Sequence, residues 1–164
     1  MGLFSFIKNA GAKVFGLGQT DKEEVAEAAA AEVKIEALAA RKLEETARDL
    51  DLVVEGLTIF IDADAATISG EAADQATKEK VVLLVGNSDG IATVDDKMTV
   101  AVAAVVIPEA QFHAVINGDT LGKIAKKYYG NAMKYPEIFE ANKPLLTDPD
   151  KIYVGQVLRI PALD

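Results

Sequence analysis

The hydrophobic positions of this chain first follow a helical period. Residues 17–55 contain no proline and are rich in alanine and charged residues. Apolar residues recur there at spacings of three and four, which predicts a long helix with one buried side: Ile35, Ala39, Leu43, Ala47 and Leu50. Residues 21–32 are expected to be a frayed extension of this helix, since alanine side chains bury little area.

From Leu57 onward the period falls to two. Apolar and polar residues alternate over 57–62 and again over 65–70, which predicts a β-hairpin with Asp64 at the turn. A second helix is predicted over 71–85 and a third strand over 91–102. The predicted order is helix, strand, strand, helix, strand. It indicates an α+β unit in which the helices cover one face of a three-stranded sheet.

The loop between the second helix and the third strand is a candidate cation site. Gly86 stands where a helix end favours positive φ, and Gly90 allows a further turn before the strand. The last helical turn leaves its carbonyl groups without intrahelical partners, so the loop could direct several main-chain oxygens at one point. The alternative is an ordinary turn whose carbonyls face water. Asp95 and Asp96, just beyond the loop, are expected to be solvated residues at a strand edge and not ligands.

A second unit follows a linker, which is predicted at 103–111 from Pro108 and the loss of periodicity. Residues 112–115 alternate as a short strand, and Asp119 is a candidate helix cap. One helix ends at Gly130, a second stops at Pro144, and the chain closes with a strand before Pro161. The pattern predicts a small βααβ unit over 112–161.

Residues 1–20 carry two lysines and no acid. Lys8 interrupts the apolar run, so a secretory signal is not expected. No window reaches the roughly 18–20 uncharged apolar residues of a membrane span, so integral membrane insertion is not expected either. An amphipathic helix would place four residues on one face: Phe4, Ile7, Gly11 and Val14. We predict that this segment packs on the following domain, residues 21–102; contact with a membrane surface is the alternative.

Composition and charge narrow the function classes. The 164 residues are 50% hydrophobic, lack cysteine and carry a formal net charge of −9. Thiolate chemistry is therefore absent, and an acidic body argues against nucleic acid as a partner. His113 is the only histidine, and we expect a packed or surface imidazole. With no nucleophile elbow, phosphate loop or histidine metal pair, the sequence predicts a protein that is not an enzyme.

Two stretches resemble known modules. Residues 57–70 and 86–96 resemble a BON domain, a small module of bacterial envelope proteins. The Gly118-Asp119-Thr120-Leu121 turn and the closing Gly-Gln-Val-Leu-Arg-Ile-Pro run, 155–161, resemble a LysM domain. LysM modules commonly bind N-acetylglucosamine polymers. That resemblance implies a glycan surface made of Gly118, Asp119, Thr120 and Leu121 with Ile152, Tyr153 and Val154.

The chain as a whole resembles the bacterial BON–LysM potassium-binding proteins. Its opening run, Met1-Gly2-Leu3-Phe4, also fits that family. The resemblance implies a soluble, cytoplasmic, monomeric K⁺ sensor whose two domains become ordered around the ion. It implies main-chain carbonyl ligands from Ile7, Ala10 and Ala12 and from Gly86, Ser88 and Ile91.

Neutral carbonyl oxygens suit K⁺, so Rb⁺ and Cs⁺ are expected to substitute for it, whereas Na⁺, Mg²⁺ and Ca²⁺ are not. The alternative function is a peptidoglycan-binding module of the cell envelope.

Overall fold

The computed structural model describes residues 2–5, 22–101 and 110–163. The first unit contains β1 (Gly2–Ser5), α1 (Lys22–Asp49), β2 (Val54–Asp62), β3 (Ala65–Ala72), α2 (Gln75–Gly86), β4 (Thr93–Asp96) and β5 (Thr99–Val100). The second contains β6 (Gln111–Ala114), α3 (Leu121–Tyr129), a 3₁₀ turn (Ala132–Lys134), α4 (Tyr135–Ala141) and β7 (Val157–Ile160). The predicted α+β class is confirmed.

The sheet of the first unit has five strands, so the three-stranded prediction is wrong. Its order is β1-β4-β3-β2, with β5 beside β3. One additional strand is β1, which pairs antiparallel with β4 and corrects the helical interpretation around Phe4; Ile7, Gly11 and Val14 lie outside the described residues. The other arises because the predicted 91–102 strand breaks at Lys97 and Met98. The Asp96 carboxylate accepts the Met98 N–H at 2.9 Å, and the Met98 side chain turns into the core.

The helices cover one face of this sheet, as predicted. Alternation buries Ile59 and Ile61 from β2 and Ile68 from β3 against α1 and α2, while Phe60 points away and stays 64% exposed. The face of α1 that packs there consists of Ala40, Leu43, Ala47 and Leu50.

The burial predicted for Ile35 and Ala39 on α1 is wrong, because both side chains are exposed. The Glu36 carboxylate accepts the N–H of Ala63 in the β2–β3 turn at 2.8 Å, which aligns this point of α1 with the end of the hairpin. Residues 31–35 are all exposed. The helix therefore continues beyond the sheet, and its apolar side chains there pack against none of the residues that the structure describes.

The turn between β2 and β3 differs from the prediction in its pivot. Ala63, not Asp64, holds the positive φ, of 53°. The Asp64 carbonyl instead accepts the N–H groups of Ala92 and Thr93 at 2.7 and 3.1 Å. These two bonds tie the hairpin to the start of β4, and this long-range pairing decides which turn residue takes the left-handed conformation.

Helix α2 is buried on two sides. Val81, Val82 and Val85 enter the core of the first unit. Glu79 and Leu83, four residues apart and therefore on one line of the helix, lie toward the second unit and are buried as well. A helix that is apolar on several faces is typical of such a central position.

The second unit packs α3 and α4 against the antiparallel pair β6–β7. Its core consists of Val115, Leu121, Ile124, Ala125, Ile138, Leu146, Leu158 and Ile160. No helix in the described ranges is long and apolar enough to cross a membrane.

Candidate cation site and the cleft beside it

The loop after α2 begins with a tightly bonded helix end. The N–H groups of Asn87 and Ser88 donate to the carbonyls of Leu83 and Val85 at 2.9 and 3.1 Å, and the Ser88 hydroxyl donates to the Leu84 carbonyl at 2.8 Å. The carbonyls of Leu83, Leu84 and Val85 are thus engaged, and the oxygens that remain for a cation are those of Gly86 and of the loop that follows. The negative end of the helix dipole lies at the same place.

The two loop glycines differ. Gly86 is the last residue of α2, and the positive φ predicted for it is wrong. The helix cap that follows it, Asn87, also keeps a negative φ, of −84°. Gly90 does hold a positive φ, of 88°. The glycine that takes the left-handed conformation is therefore Gly90, four residues later than the predicted Gly86.

The predicted loop ligands lie within one short stretch. Gly86 and Ile91 are buried and Ser88 is half-buried. The Ser88 carbonyl accepts the Ile91 N–H at 3.3 Å, a long bond that leaves its second lone pair for another partner. The other predicted ligands, Ile7, Ala10 and Ala12, lie outside the described residues.

The two aspartates after the loop have unequal environments. Asp95 is partly exposed and pairs with Lys97 at 3.2 Å, but the predicted edge position is wrong, because β4 lies between β1 and β3. Asp96 is 3% exposed, and its carboxylate pairs with the Lys78 ammonium at 3.2 Å. The prediction of a solvated Asp96 is wrong because this side chain lies on the same buried face of β4 as Val94, two residues earlier.

The described ranges hold no group of three or more His, Cys, Asp or Glu residues that could hold a metal ion.

A cleft of about 270 Å³ separates the loop from the second unit. Seven residues line it: Gly86, Asn87, Ser88, Tyr153, Val154, Gly155 and Gln156. At its edge the Asn87 side chain bonds the backbone of Val157 twice: it accepts the N–H at 2.8 Å and donates to the carbonyl at 3.0 Å. The sequence did not predict the contact of Asn87 with the second unit, because its only signal was an amide side chain at the end of a helix.

The predicted glycan residues divide into supporting and exposed ones. Leu121 is a core residue, Thr120 caps α3, and Ile152 packs against the core. Gly118 is exposed, with φ of 85°. Only Tyr153 and Val154 present large exposed apolar side chains, at 68% and 66% exposure.

Asp119 is held by its own turn. Its carboxylate bonds the His113 imidazole at 2.9 Å and accepts the Ile116 N–H at 3.0 Å. These hydrogen bonds, the one to His113 first, lower the pKa of Asp119. His113 is packed, as expected, and its other ring nitrogen lies 3.2 Å from the Tyr128 hydroxyl.

Comparison with known proteins adds to this geometry. A LysM domain model matches residues 113–161. Over 164 residues the chain is 44% identical to the "Potassium binding protein Kbp" of Escherichia coli O6:H1 (strain CFT073), covering 98% of this chain and 99% of that protein. The chain belongs to the Kbp family.

Shorter similarities fall outside the Kbp family. An uncharacterized protein of Deinococcus radiodurans is 47% identical over 50 residues, 30% of this chain and 19% of that protein. Esterase Rv1288 of Mycobacterium tuberculosis is 42% identical over 55 residues, 34% of this chain and 12% of the esterase. Both are partial matches, and so small a share of the esterase carries no catalytic argument. The Kbp similarity, in contrast, spans both units.

Proposed function

We propose that this protein binds K⁺ through main-chain carbonyls, with Gly86, Ser88 and Ile91 on one side of the ion and Ile7, Ala10 and Ala12 on the other. The observation that carries the proposal is the 44% identity, over nearly the whole chain, to a protein named for potassium binding. The absence of a carboxylate or histidine cluster among the described residues favours neutral oxygen ligands.

The strand register supports convergence of the two ligand groups. In the antiparallel pair β1–β4, Ser5 is paired with Thr93. Ile7 follows Ser5 by two residues, and Ile91 precedes Thr93 by two. Two residues span at most about 7 Å, so Ile7 and Ile91 are each within that distance, along the chain, of the paired residues Ser5 and Thr93.

Selectivity follows from the ligand type. K⁺ loses its water readily to several carbonyl oxygens, and Rb⁺ and Cs⁺ are similar enough to replace it. Na⁺, Mg²⁺ and Ca²⁺ pay more for dehydration, and divalent ions prefer carboxylates. Tight Ca²⁺ binding would contradict this ligand set.

The ion is also proposed to order the two units, because it binds the amino-terminal segment and a distant loop together. Thermal melting of the full chain in rising K⁺, with choline replacing K⁺ at constant ionic strength, tests this. Stabilisation should reach about 2.7 kcal/mol at a hundredfold excess over the Kd. A melting temperature that does not respond to K⁺ would refute the proposal.

We further propose that the protein acts as a monomeric sensor in the cytoplasm, which cell fractionation would test.

A second candidate function is binding of N-acetylglucosamine polymers. The LysM match and the exposed Tyr153 and Val154 favour it, because an aromatic and an aliphatic side chain together suit the apolar face of a sugar ring. Titration with a chitin oligosaccharide, with Tyr153→Ala as the test and Tyr135→Ala as a matched exposed aromatic control, would decide it. Binding that survives Tyr153→Ala would contradict this surface.

A further inference from the structure

Two asparagines make the same pair of hydrogen bonds to one edge of β7. Asn142 accepts the Arg159 N–H at 2.8 Å and donates to the Arg159 carbonyl at 2.7 Å. Asn87 makes the same two bonds to Val157: it accepts the N–H at 2.8 Å and donates to the carbonyl at 3.0 Å. Each side-chain amide, with one acceptor and two donors, takes the place of a neighbouring strand.

The position of β7 explains this arrangement. It belongs to a two-stranded sheet, so among the described residues one of its edges has no strand partner. Val157 and Arg159 are two residues apart, and their main-chain groups therefore face the same edge. Asn142 serves this edge from within the second unit, whereas Asn87 reaches it from the first unit and from inside the proposed ion loop.

We propose that Asn87 is a positioning residue that couples ion occupancy of the 86–91 loop to docking of the second unit. This inference rests on the proposed K⁺ function. The neighbours of Asn87 along the chain are Gly86 and Ser88, whose carbonyls are proposed ligands. The Gly86 carbonyl and the Asn87 N–H belong to one planar peptide group, so a shift of that carbonyl moves the residue whose side chain holds Val157. Coupling free energies are reciprocal, so the Asn87–Val157 contact and ion binding strengthen each other by the same factor.

A second contact between the units supplies the matched control. Glu79 lies on the same helix and forms a buried ion pair with Arg159, and its carboxylate also accepts the Ala110 N–H at 3.1 Å. It precedes Asn87 by eight residues, or about 12 Å along the helix axis. Glu79 therefore holds the units together without sharing backbone with the ion loop.

The experiment compares Asn87→Ala with Glu79→Gln in the full chain. Alanine tolerates the φ of −84° at this position, so the backbone of the loop is preserved. We expect Asn87→Ala to weaken K⁺ binding, measured by calorimetric titration, on the order of tenfold. It should also abolish the K⁺-induced change in the Val157 amide signal. Glu79→Gln should lower the melting temperature without K⁺ while leaving the Kd within about twofold.

Each outcome has a distinct meaning. K⁺ affinity unchanged in Asn87→Ala overturns the coupling role alone, and so does an equal loss of affinity in Glu79→Gln, because docking in general would then explain it. A wild-type chain that does not bind K⁺ overturns the proposed function and this inference with it. If Asn87→Ala folds poorly by circular dichroism, Asn87→Ser is read in its place, since its side chain cannot bridge both atoms of Val157.

Discussion

At the scale of single residues, the neighbouring aspartates Asp95 and Asp96 differ in what they stabilise. Asp96 is buried, pairs with Lys78 and accepts the Met98 N–H, whereas Asp95 forms a partly exposed pair with Lys97. Removal of one partner from a buried ion pair leaves the other charge uncompensated, but partly exposed pairs contribute little.

We therefore expect Asp96→Asn to lower the free energy of unfolding by about 3 kcal/mol and Asp95→Asn by less than about 1 kcal/mol. Urea denaturation of the two variants beside the wild type measures both values. Equal effects would contradict the greater contribution assigned to the buried Asp96–Lys78 pair. Any K⁺ affinity lost in Asp96→Asn must then be corrected for the loss of fold.

Asp119 provides a pH test at the same scale. The His113 hydrogen bond and the Ile116 N–H lower its pKa, so the folded state favours the carboxylate. Its contribution to stability is complete above the ordinary aspartate pKa of about 3.9. It disappears as the pH falls below that value, through the lowered folded pKa.

We expect Asp119→Asn to be less stable than the wild type at neutral pH and to lose less stability between about pH 5 and about pH 2. Urea unfolding at several pH values, followed by tyrosine fluorescence of the second unit, measures this difference. Parallel acid profiles for the two proteins would contradict the assignment.

At the scale of elements, α1 protects the edge of the sheet. Strand β2 is the last strand in the order, and its outward N–H groups would otherwise invite another chain. The Glu44 carboxylate accepts the Ile59 N–H at 2.9 Å, and Glu36 accepts the Ala63 N–H. Two glutamates eight residues apart on one helix thus accept from two N–H groups four residues apart, one on β2 and one in the β2–β3 turn.

Glu44→Ala should lower the free energy of unfolding by about 2 kcal/mol, because it leaves a partly buried N–H without its charged acceptor. Hydrogen exchange of the Ile59 amide should accelerate in the same variant. Glu45→Ala is the control: this neighbouring side chain is exposed, and its removal should change stability by less than about 0.5 kcal/mol. Similar exchange at Ile59 in both variants would argue against edge protection.

At the scale of the whole molecule, the amino terminus contacts both units. Residues 2–5 form β1 on the sheet, and the Phe4 ring packs edge-on against Phe112 of the second unit, with centroids 5.3 Å apart. A deletion of residues 2–12 would therefore remove a strand and an inter-unit contact along with three of the six proposed ligands.

We expect that deletion to abolish K⁺ binding while the LysM unit stays folded, because the second unit has its own core. Phe4→Ala separates the causes, since it removes the ring contact and keeps every main-chain ligand. This variant should melt lower than the wild type yet still gain stability from K⁺. Calorimetric titration measures K⁺ binding, and amide spectra show whether the second unit stays folded. Undiminished binding in the deleted chain would exclude the amino-terminal ligands and favour a membrane role for that segment.

Local signals in the sequence were sufficient for the α+β class and for the order of the elements from α1 to β4 and within the second unit, but not for β1 and β5. The alternation of Ile59 and Ile61, the stop at Gly130 and the closing strand before Pro161 each depend on a few adjacent residues. Period and turn chemistry are properties of the local chain, so a single sequence carries them. The LysM similarity and the Kbp family could also be read from motifs at fixed spacings.

Tertiary structure alone decided the features that depend on distant partners. The pairing of Ser5 with Thr93, the burial of Asp96 beside Lys78 and the left-handed Ala63 all follow from contacts that no local pattern encodes. The bonds from Asn87 to Val157 join residues 70 positions apart. An asparagine at a helix end looks the same whether it faces water or a strand edge. The free energy of such contacts arises only when both surfaces are present, which is why the fold decided them.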